Sequence, residues 1–298
     1  MQLNENQYFD CINDELYAFS VHDFAEFRML CSKEKDLINK IEQLENTLLE
    51  NKNDQYTFNG ICWVCNEAVD LSVDYEYSFL RNGIFIPNLR ERLICPHCLL
   101  YARVRSIYHF LCTKINPDTT SSIYITEQTT PLFRLLKRKF PYVIGSEFLG
   151  KPGKFIADNF PGIRNEDLCD LTFDRDAFDY ILTFDCFEHI YDYKKALKEC
   201  FRCLKKDGTL FFSIPFYPYQ ENNILRAYLD DDGNIVHILP EEWHGDPIST
   251  GSLCFHNFGW QFIYDTNAIG FESVEVIFYW SSRFGYLGGL RPLFIAMK

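Results

Sequence analysis

The sequence predicts an α/β fold over residues 116–298, and two observations lead to this prediction. Two apolar runs, 177–184 and 209–214, are continuous enough for strands that are buried on both faces of a sheet. An amphipathic helix pattern at 191–205 lies between them, and it ends in the cations and glycine that suit a helix C-terminus. Strands joined by helices form βαβ units, so a mostly parallel, doubly wound sheet is expected.

The other elements of this region continue the alternation. Short β-rich segments are expected at 122–126 and 142–144, with a helix at 131–140 between them that has Pro in its first turn. A third strand, too short to recognise directly, is expected just before Asp167. A helix near 258–269 and strands at 273–280 and 292–297 complete the prediction.

Composition excludes several classes of protein. The chain has 298 residues, of which 47% are hydrophobic and 24% charged, so a largely disordered chain is excluded. The net charge of -13 argues against a general nucleic-acid binder, because attraction to phosphates supplies most non-specific affinity. No apolar run is long enough for a membrane span, and the first residues do not resemble a signal peptide. With 12 cysteines and no export signal, we expect a soluble, cytoplasmic protein with thiols and metal ligands rather than disulfides.

Residues 1–55 are polar and free of Gly and Pro, and they are predicted to form an N-terminal helical arm. Its apolar residues fall on a heptad pattern over barely three repeats: Leu30, Leu37, Ile41, Leu44 and Leu48. Two interpretations stay open. The stripe forms a coiled coil and hence a homodimer, or it packs on its own chain as most such stripes do.

Residues 56–115 contain two Cys-x-x-Cys pairs with 29 residues between them: Cys62, Cys65, Cys95 and Cys98. Four thiolates can surround one zinc ion tetrahedrally, and a closed site of this kind is structural. Short strands expected at 75–79 and 83–86, around the turn signal Asn82-Gly83, complete a zinc-ribbon-like module. The alternative is a set of four buried free cysteines. Arg103 and Arg105 follow on a predicted helix, either on a solvated face or at the entry of an anionic ligand.

Acidic residues follow the predicted strands of the third region, where ligands bind in open parallel sheets. Glu127 ends the first strand, Glu147 the second, Asp167 follows the third and Asp185 the fourth. A carboxylate after the second strand can accept both ribose hydroxyls, and one after the third can accept an adenine amino group. This order predicts a nucleoside cofactor.

The run from Asp167 to His189 resembles the central signature of class I S-adenosylmethionine-dependent methyltransferases, and 204–215 is similar to the fifth-strand segment of that family. The resemblance covers about 122–298. It implies a Rossmann-like, seven-stranded, mostly parallel sheet with an antiparallel hairpin at its edge, and S-adenosylmethionine as the cofactor. It also implies roles for residues at the cofactor site: Glu147 at the ribose, Asp167 and the Leu168 amide at the adenine, and Thr183 to Asp185 beside the methyl group.

The chain departs from that family in the loop after the first strand. The family has a glycine-rich loop there, whereas 125–131 contains no glycine. Thr129 or Thr130 can cap the following helix, whose amide end would still receive a carboxylate. Either the loop leaves room for the cofactor, or cofactor binding is lost and the protein is a non-catalytic adaptor.

The segment 241–256 follows the fifth strand and is expected to lie over the methyl donor. His244, Asp246 and His256 are the candidate catalytic residues, because a hydroxyl acceptor must lose a proton and histidine titrates near neutral pH. Trp243 and Phe255 suit the apolar face of a sugar. The alternative is that these polar residues form a turn and a helix cap. A catalytic divalent ion also stays open, because the spacing fixes no ligand set.

Two further resemblances concern the substrate. A four-cysteine ribbon before a methyltransferase domain is similar to certain ribosomal RNA guanine methyltransferases. The segments 92–98 and 242–247 resemble bacterial methyltransferases of surface-polysaccharide and glycan assembly. The acidic net charge favours the second group, so a hydroxyl of a sugar or glycan intermediate is the expected acceptor and an RNA base is the alternative.

Overall fold

The computed structural model describes residues 16–49, 55–81, 83–150, 161–246 and 248–298. The chain divides into two compact units. As far as they are described, unit 1 consists of Met1–Ser20, Arg28–Asn116 and Ile277–Pro292, and unit 2 of Val21–Phe27, Pro117–Val276 and Leu293–Lys298.

The structure contains strands and helices along the whole described chain. In order, the strands are β1 (Tyr17–Val21), β2 (Tyr56–Cys62), β3 (Glu67–Val73), β4 (Phe79–Arg81), β5 (Ile84–Ile86), β6 (Leu93–Ile94), β7 (Ile123–Ile125), β8 (Ile144–Gly145), β9 (Phe178–Phe184), β10 (Leu204–Ser213), β11 (Ile224–Leu225), β12 (Ala227–Leu229), β13 (Ile235–His237), β14 (Trp243–His244), β15 (Ser252–Leu253), β16 (His256–Asn257), β17 (Ser273–Ser281) and β18 (Tyr286–Met297). The α-helices are α1 (Phe24–Lys33), α2 (Lys35–Leu49), α3 (Leu89–Arg92), α4 (Ala102–Phe110), α5 (Pro131–Lys139), α6 (Tyr193–Cys203) and α7 (Gln261–Ile269), with a π-helical turn at Leu111–Ile115 and a 3-10 turn at Phe187–His189. None of the helices in the described ranges has the length and apolar character that crossing a bilayer requires.

The central sheet has seven strands in the order β1-β17-β18-β10-β9-β7-β8. Strands β8, β7, β9 and β10 run parallel to one another. Strand β18 pairs antiparallel with β10, in a register that places Phe212 opposite Phe294. The predicted α/β, Rossmann-like fold with a mostly parallel sheet and antiparallel strands at its edge is therefore confirmed.

The seven strands are not the seven that were expected. Within the described residues, the third parallel strand is represented by a single bridge between Glu147 and Asn165. The count reaches seven because β1, which lies in the arm predicted to be helical, joins the opposite edge. The prediction overlooked the strand pattern of β1, in which Tyr17 and Phe19 alternate with small residues and stack at 6.5 Å on one face. Residues 1–15 and 50–54 of the predicted arm lie outside the described residues.

The heptad stripe packs within its own unit. The helix breaks at Glu34, so Leu30 lies on α1 and the other heptad residues on α2. Ile41 and Leu44 are each 1% exposed and belong to a buried cluster of unit 1. In this arrangement, which is the second of the two interpretations, the stripe contributes apolar burial to the fold of one chain.

The position of α2 in unit 1 also depends on a carboxylate. Glu45 accepts hydrogen bonds from the Trp280 indole at 2.8 Å and from the amides of Gly288 and Gly289 at 2.6 and 3.0 Å. Charge-assisted bonds of this kind are stronger than neutral ones. They fix the start of β18 against the helix.

Arg105 lies neither on a solvated face nor at a ligand entry. Its side chain is fully buried in unit 1, and its guanidinium donates to the carbonyls of Phe284, Leu93 and Gly285 at 2.6, 3.3 and 3.4 Å. A buried guanidinium requires such partners because desolvating it is costly. Arg105 therefore ties α4 to the strands of its unit.

Unit 1 also contains a three-stranded sheet, β2-β3-β6, and the separate β4-β5 hairpin. The hairpin begins at Phe79, later than the predicted strand at 75–79, because Tyr77 has a φ of 59° and cannot continue a strand. Asn82 of the predicted turn lies outside the described residues. The three-stranded sheet brings the two cysteine pairs together.

Candidate active site and metal centre

The two cysteine pairs of unit 1 meet at the ends of β2 and β6. Cys62 Sγ lies 3.7 Å from Cys98 Sγ, Cys65 Sγ lies 3.8 Å from Cys95 Sγ, and all four sulfurs lie within 4.8 Å of one another. A tetrahedral zinc ion with bonds of about 2.3 Å separates its sulfurs by about 3.8 Å. The four sulfurs therefore fit one zinc ion.

The two pairs are built alike. The amide of Asn66 donates to the Cys62 carbonyl at 2.8 Å, and the amide of Leu99 donates to the Cys95 carbonyl at 2.9 Å. Asn66 and Leu99 both have positive φ, 56° and 60°, so each pair closes in a left-handed residue directly after its second cysteine. This repeated turn points both thiols of a pair the same way.

The four thiols also shift the pKa values of one another. A hydrogen bond from Cys98 lowers the pKa of Cys62 to about 5, although burial opposes this change. Burial raises the pKa of Cys65 to about 12, and the hydrogen bond to Cys62 raises the pKa of Cys98. One thiol of the four thus favours the thiolate form that a metal requires.

Glu147 lies at the end of β8 in unit 2 and is 8% exposed. Its Oε1 accepts hydrogen bonds from the amides of Gln128 and Thr129, at 2.7 and 2.8 Å, and from the Thr129 hydroxyl at 2.8 Å. The carboxylate predicted to hold the ribose therefore holds the loop that replaces the glycine-rich segment. The adjacent Thr130 caps α5 by accepting from the Phe133 amide at 3.2 Å, as expected for one of the two threonines.

Gln128 extends this loop across the sheet edge. Its side chain donates to the Gly162 carbonyl at 2.9 Å and accepts from the Arg164 amide at 2.8 Å. A glycine is needed nearby, at Gly145, because a Cβ there would lie 2.6 Å from the Phe133 ring and 2.7 Å from the Glu127 carbonyl. The loop is thus defined by hydrogen bonds and close packing in place of glycine flexibility.

Asp167 and Leu168 lie after the bridge that replaces the third strand. Asp167 is partly buried and its Oδ1 accepts from the Cys169 amide at 2.8 Å, while Leu168 is 7% exposed. The preceding Glu166 is buried and binds Arg164 and Thr172, each at 2.6 Å. The buried Glu166 carboxylate, paired with Arg164, anchors the turn that presents Asp167 at the sheet edge.

Thr183 and Asp185 lie at the end of β9. Thr183 is fully buried opposite Phe212 of β10. Asp185 has a φ of 49°, which is costly for a residue with a side chain, and its Oδ1 accepts from the Ser213 hydroxyl at 2.7 Å. Such strain is found where a fold positions functional groups, and here it turns the chain away from the sheet directly after the strand.

A second cluster of polar residues follows the same strand. His189 comes from the 3-10 turn after β9, His244 from β14, and Cys254 directly follows β15. One ligand atom of each lies within 4.8 Å of the others, and the two imidazole rings are perpendicular with centroids 5.1 Å apart. Glu188 is 1% exposed, and its Oε1 lies 3.5 Å from His189 Nε2 and 3.7 Å from His244 Nδ1.

These groups shift the pKa values of one another. The hydrogen bond with Cys254, together with Glu188, raises the pKa of His244 to about 11. Burial would lower the pKa of His189, but Cys254 and Glu188 outweigh it and raise that pKa. Burial would raise the pKa of Cys254, but both histidines lower it. Each of these pKa shifts favours the charged form of its group.

The other two predicted catalytic residues lie apart from this cluster. The carboxylate of Asp246 accepts from the Ile248 amide and from the hydroxyls of Ser249 and Ser252, at 2.9, 2.7 and 3.0 Å, which is the turn arrangement given above as the alternative. His256 is 7% exposed, its Nε2 bonds the Tyr191 carbonyl at 3.1 Å, and burial lowers its pKa. The structure brings only His244 of the three into the cluster.

The sequence did not identify Glu188, His189 and Cys254 as a site together with His244. His189 was visible as the end of the family signature, and Cys254 lay two residues before a candidate histidine. No spacing rule joins them, because the contact is made by backbone bonds between distant segments, such as the Phe255 amide to the Glu188 carbonyl at 2.8 Å.

Comparisons with known proteins agree with this architecture. Residues 133–212 match a family model described as a methyltransferase domain. No curated protein matches the chain. Among solved structures, the chain is similar to an S-adenosylmethionine-dependent methyltransferase from Mesorhizobium loti, with 16% identity, 66% of this chain and 98% of that chain covered, and a TM-score of 0.42.

Two further structures are similar at the same level. One is an S-adenosylmethionine-dependent methyltransferase from Listeria monocytogenes, with 17% identity, 64% and 97% of the two chains covered, and a TM-score of 0.39. The other is the 1,6-didemethyltoxoflavin-N1-methyltransferase of Burkholderia thailandensis, with 13% identity, 65% and 77% covered, and a TM-score of 0.36. Residues 133–212 therefore carry the similarity to a methyltransferase domain, and they lie within the Rossmann-like sheet described above.

Proposed function

We propose that the enzyme transfers the methyl group of S-adenosylmethionine to a hydroxyl of a sugar or glycan intermediate. The observation that carries this proposal is the pairing of Trp243 with His244 in β14, after the fifth strand of the parallel sheet. The Trp243 side chain is 56% exposed, and its indole donates to Glu241 at 2.9 Å, so the ring is held in place at the surface. An ordered aromatic face beside polar groups suits a sugar.

The cofactor is proposed to bind at the carboxyl ends of β7, β8 and β9. Asp167 and the Leu168 amide would contact the adenine, and Glu147 the ribose. Thr183 and Asp185 would lie beside the methyl group, with Glu127 at the end of the first strand. Supporting this assignment, Asp185 leaves β9 in a strained conformation, and the turn that carries Asp167 is anchored by the buried Glu166.

The loop at 127–130 is the part of the proposed cofactor site that differs from class I methyltransferases, which have a glycine-rich loop there. Three hydrogen bonds to Glu147 give this loop a defined path. A ribose that uses the Glu147 carboxylate has to share it with the loop or displace Thr129. We therefore expect Glu147 to contribute less to cofactor affinity than Asp167, whose carboxylate has only the Cys169 amide as its hydrogen-bond donor within the described chain.

The chemistry requires alignment of three atoms. The acceptor oxygen attacks the methyl carbon of the sulfonium, the carbon–sulfur bond breaks opposite to it, and the electron pair stays on sulfur. The products are the methyl ether, S-adenosylhomocysteine and one proton. His244 is proposed as the catalytic residue that contacts the acceptor, because it is the predicted catalytic residue that lies in the cluster after β9. Asp246 and His256 are not included, because their polar atoms are used within the fold.

The four cysteines of unit 1 are proposed to hold a structural zinc ion. Their sulfur distances support a closed tetrahedral site without an open position. In this proposal residues 1–55 are an N-terminal arm, 56–115 a zinc-binding module and 116–298 the methyltransferase domain. Binding the ion would stabilise the module, because the ion would join the two turns that carry the cysteines.

The acceptor class is tested with the full chain and methyl-labelled S-adenosylmethionine, offered separately to nucleotide sugars, oligosaccharides and total RNA. We expect label in the sugar fraction, and loss of transfer in Asp167→Ala but not in Asp170→Ala, which changes an exposed carboxylate three residues away. Label in RNA alone would replace the sugar by an RNA base. Failure to bind S-adenosylhomocysteine at millimolar concentration would contradict the proposed cofactor residues.

A further inference from the structure

The backbone brings two histidines and one cysteine to a single point in unit 2. Strands β14 and β15 pair antiparallel, with His244 opposite Ser252. The Cys254 amide donates to the Glu242 carbonyl at 2.9 Å, and the Phe255 amide to the Glu188 carbonyl at 2.8 Å. These bonds connect the β14-β15 hairpin to the turn after β9, so the three ligating side chains share one position through backbone structure.

Hydrogen bonds orient the two imidazoles. His189 Nδ1 bonds the Leu253 carbonyl at 2.9 Å and lies 3.9 Å from Cys254 Sγ, while its Nε2 faces Glu188. His244 Nε2 lies 3.3 Å from the Glu242 carboxylate, which leaves Nδ1 facing Glu188. Metal-ligating histidines are held in this way, with one nitrogen bound to a carbonyl or carboxylate and the other free for the ion.

The buried carboxylate of Glu188 is an independent observation. It is 1% exposed, and neither oxygen accepts a hydrogen bond from any residue in the described part of the chain. Its nearest charged neighbours are the two imidazoles, at 3.5 and 3.7 Å. A buried carboxylate without hydrogen bonds is costly, and a divalent cation among the facing ligands would compensate for that cost.

We propose that His189, His244 and Cys254 bind a zinc ion, with Glu188 facing it from the buried side. Two nitrogens and one thiolate sulfur are ligand types of zinc, whereas magnesium and calcium take oxygen ligands. Ligand atoms around a tetrahedral zinc ion lie about 3.3 to 3.8 Å apart, so the side chains, now within 4.8 Å, need to close by about 1 Å.

This second ion differs in kind from the one proposed at the four cysteines. Three protein ligands leave a coordination position for another group, which is the arrangement of a catalytic zinc site. The His244 side chain is 33% exposed, so a substrate could approach an ion bound to this histidine from solvent. This inference rests on the proposed function: a zinc ion held by these residues would lower the pKa of an acceptor hydroxyl beside it, and the proton would leave to solvent.

The proposal is tested by counting zinc in the purified full chain after equilibration with zinc and removal of the excess. We expect two zinc ions per chain. His189→Gln and Cys254→Ser should each leave one, Cys62→Ser combined with Cys65→Ser should also leave one, and all changes together none. His237→Gln is the matched control, because His237 lies on β13 outside the cluster, and it should retain both ions.

A count of one that disappears only in the Cys62→Ser, Cys65→Ser variant would overturn the proposal, and so would a count of zero. His244→Gln is a further ligand variant that is less prone to misfold, because the His244 side chain is partly exposed. Far-UV circular dichroism checks the fold of each variant. In the variant without Cys62 and Cys65, added Co²⁺ should give a near-UV thiolate charge-transfer band that Cys254→Ser removes. Binding of S-adenosylhomocysteine is measured separately, so failure of the cofactor site is distinguished from failure of the metal site.

Discussion

The imidazole rings of His189 and His244 lie perpendicular to each other, with centroids 5.1 Å apart and one nitrogen of each directed at the Glu188 carboxylate. One histidine ends the turn after a strand of the parallel sheet, and the other lies in a hairpin far along the chain. Their meeting defines a polar site in the part of the fold where a methyl acceptor is expected. Of the three predicted catalytic residues, His244 lies in this cluster.

The four-cysteine site predicts loss of metal on substitution of a single ligand. Cys62→Ser or Cys95→Ser should lower the zinc content of the chain by one ion and reduce its thermal stability, because the ion closes two turns of unit 1 at once. Metal analysis by mass spectrometry measures the first effect and calorimetry the second. Cys31→Ser, on α1, should leave the zinc content unchanged. Full zinc content in both ligand variants would contradict the assignment.

The adenine assignment predicts that Asp167→Ala weakens binding of S-adenosylhomocysteine by about 1 to 3 kcal/mol, because a hydrogen-bond acceptor for the adenine is lost. Isothermal titration calorimetry checks this effect. Asp170→Ala is the control, since this residue is exposed and lies in the same turn. Equal affinities of the two variants and the unmodified protein would remove Asp167 from the cofactor site.

The close packing at Gly145 predicts destabilisation by a single methyl group. The new Cβ in Gly145→Ala would lie 2.6 Å from the Phe133 ring and 2.7 Å from the Glu127 carbonyl, so the loop or the helix α5 must move. We expect the free energy of unfolding to fall by about 1 to 3 kcal/mol in urea denaturation. Gly245→Ala meets nothing within 4 Å and should be close to neutral. An equally small effect at both positions would be inconsistent with the observed packing.

Because His109 is buried, we expect the free energy of unfolding to decrease in acid. The imidazole of His109 stacks on the Trp63 ring, with ring centroids 4.3 Å apart, and burial lowers its pKa from 6.5 to about 4. Between these values the unfolded chain binds a proton that the folded chain excludes, so the free energy of unfolding decreases as the pH falls through this window. A shift of this size corresponds to about 3 kcal/mol at most.

His109→Gln removes that proton uptake while keeping a polar side chain. Urea unfolding of both proteins at several values between about pH 7 and pH 4 should show a shallower decline for the variant. Loss of zinc in acid affects both proteins alike, so it cancels in the difference. Parallel stability curves would show that His109 does not titrate differently in the folded state.

The elements that could be predicted from the sequence depend on local pattern. The turn of each Cys-x-x-Cys pair is set within five residues, and its closing residues Asn66 and Leu99 repeat the same left-handed conformation. Apolar periodicity predicts the strands β9 and β10 and the helix α6. A strand buried on both faces needs a continuous apolar run, and a helix buried on one side needs an apolar stripe. Acidic residues at strand ends follow from the same reasoning, since parallel strands end at one edge.

Other features required the folded chain, because partners distant in sequence decide them. Glu147 was expected at a ribose, and in the structure its carboxylate holds Gln128 and Thr129, a loop whose path no periodicity describes. Strand β1 was hidden in a polar arm because an edge strand needs only a short alternating pattern.

By itself, the sequence determined the alternating α/β elements, the cysteine pairs and the family resemblance, since each is written in neighbouring residues. Only the tertiary structure decided that Arg105 is buried on carbonyls, that Asp246 and His256 make hydrogen bonds within the fold, and that Glu188 faces two histidines. The physical reason is that a hydrogen bond or an ion pair depends on distance in space, and a chain reversal can bring any two segments within reach.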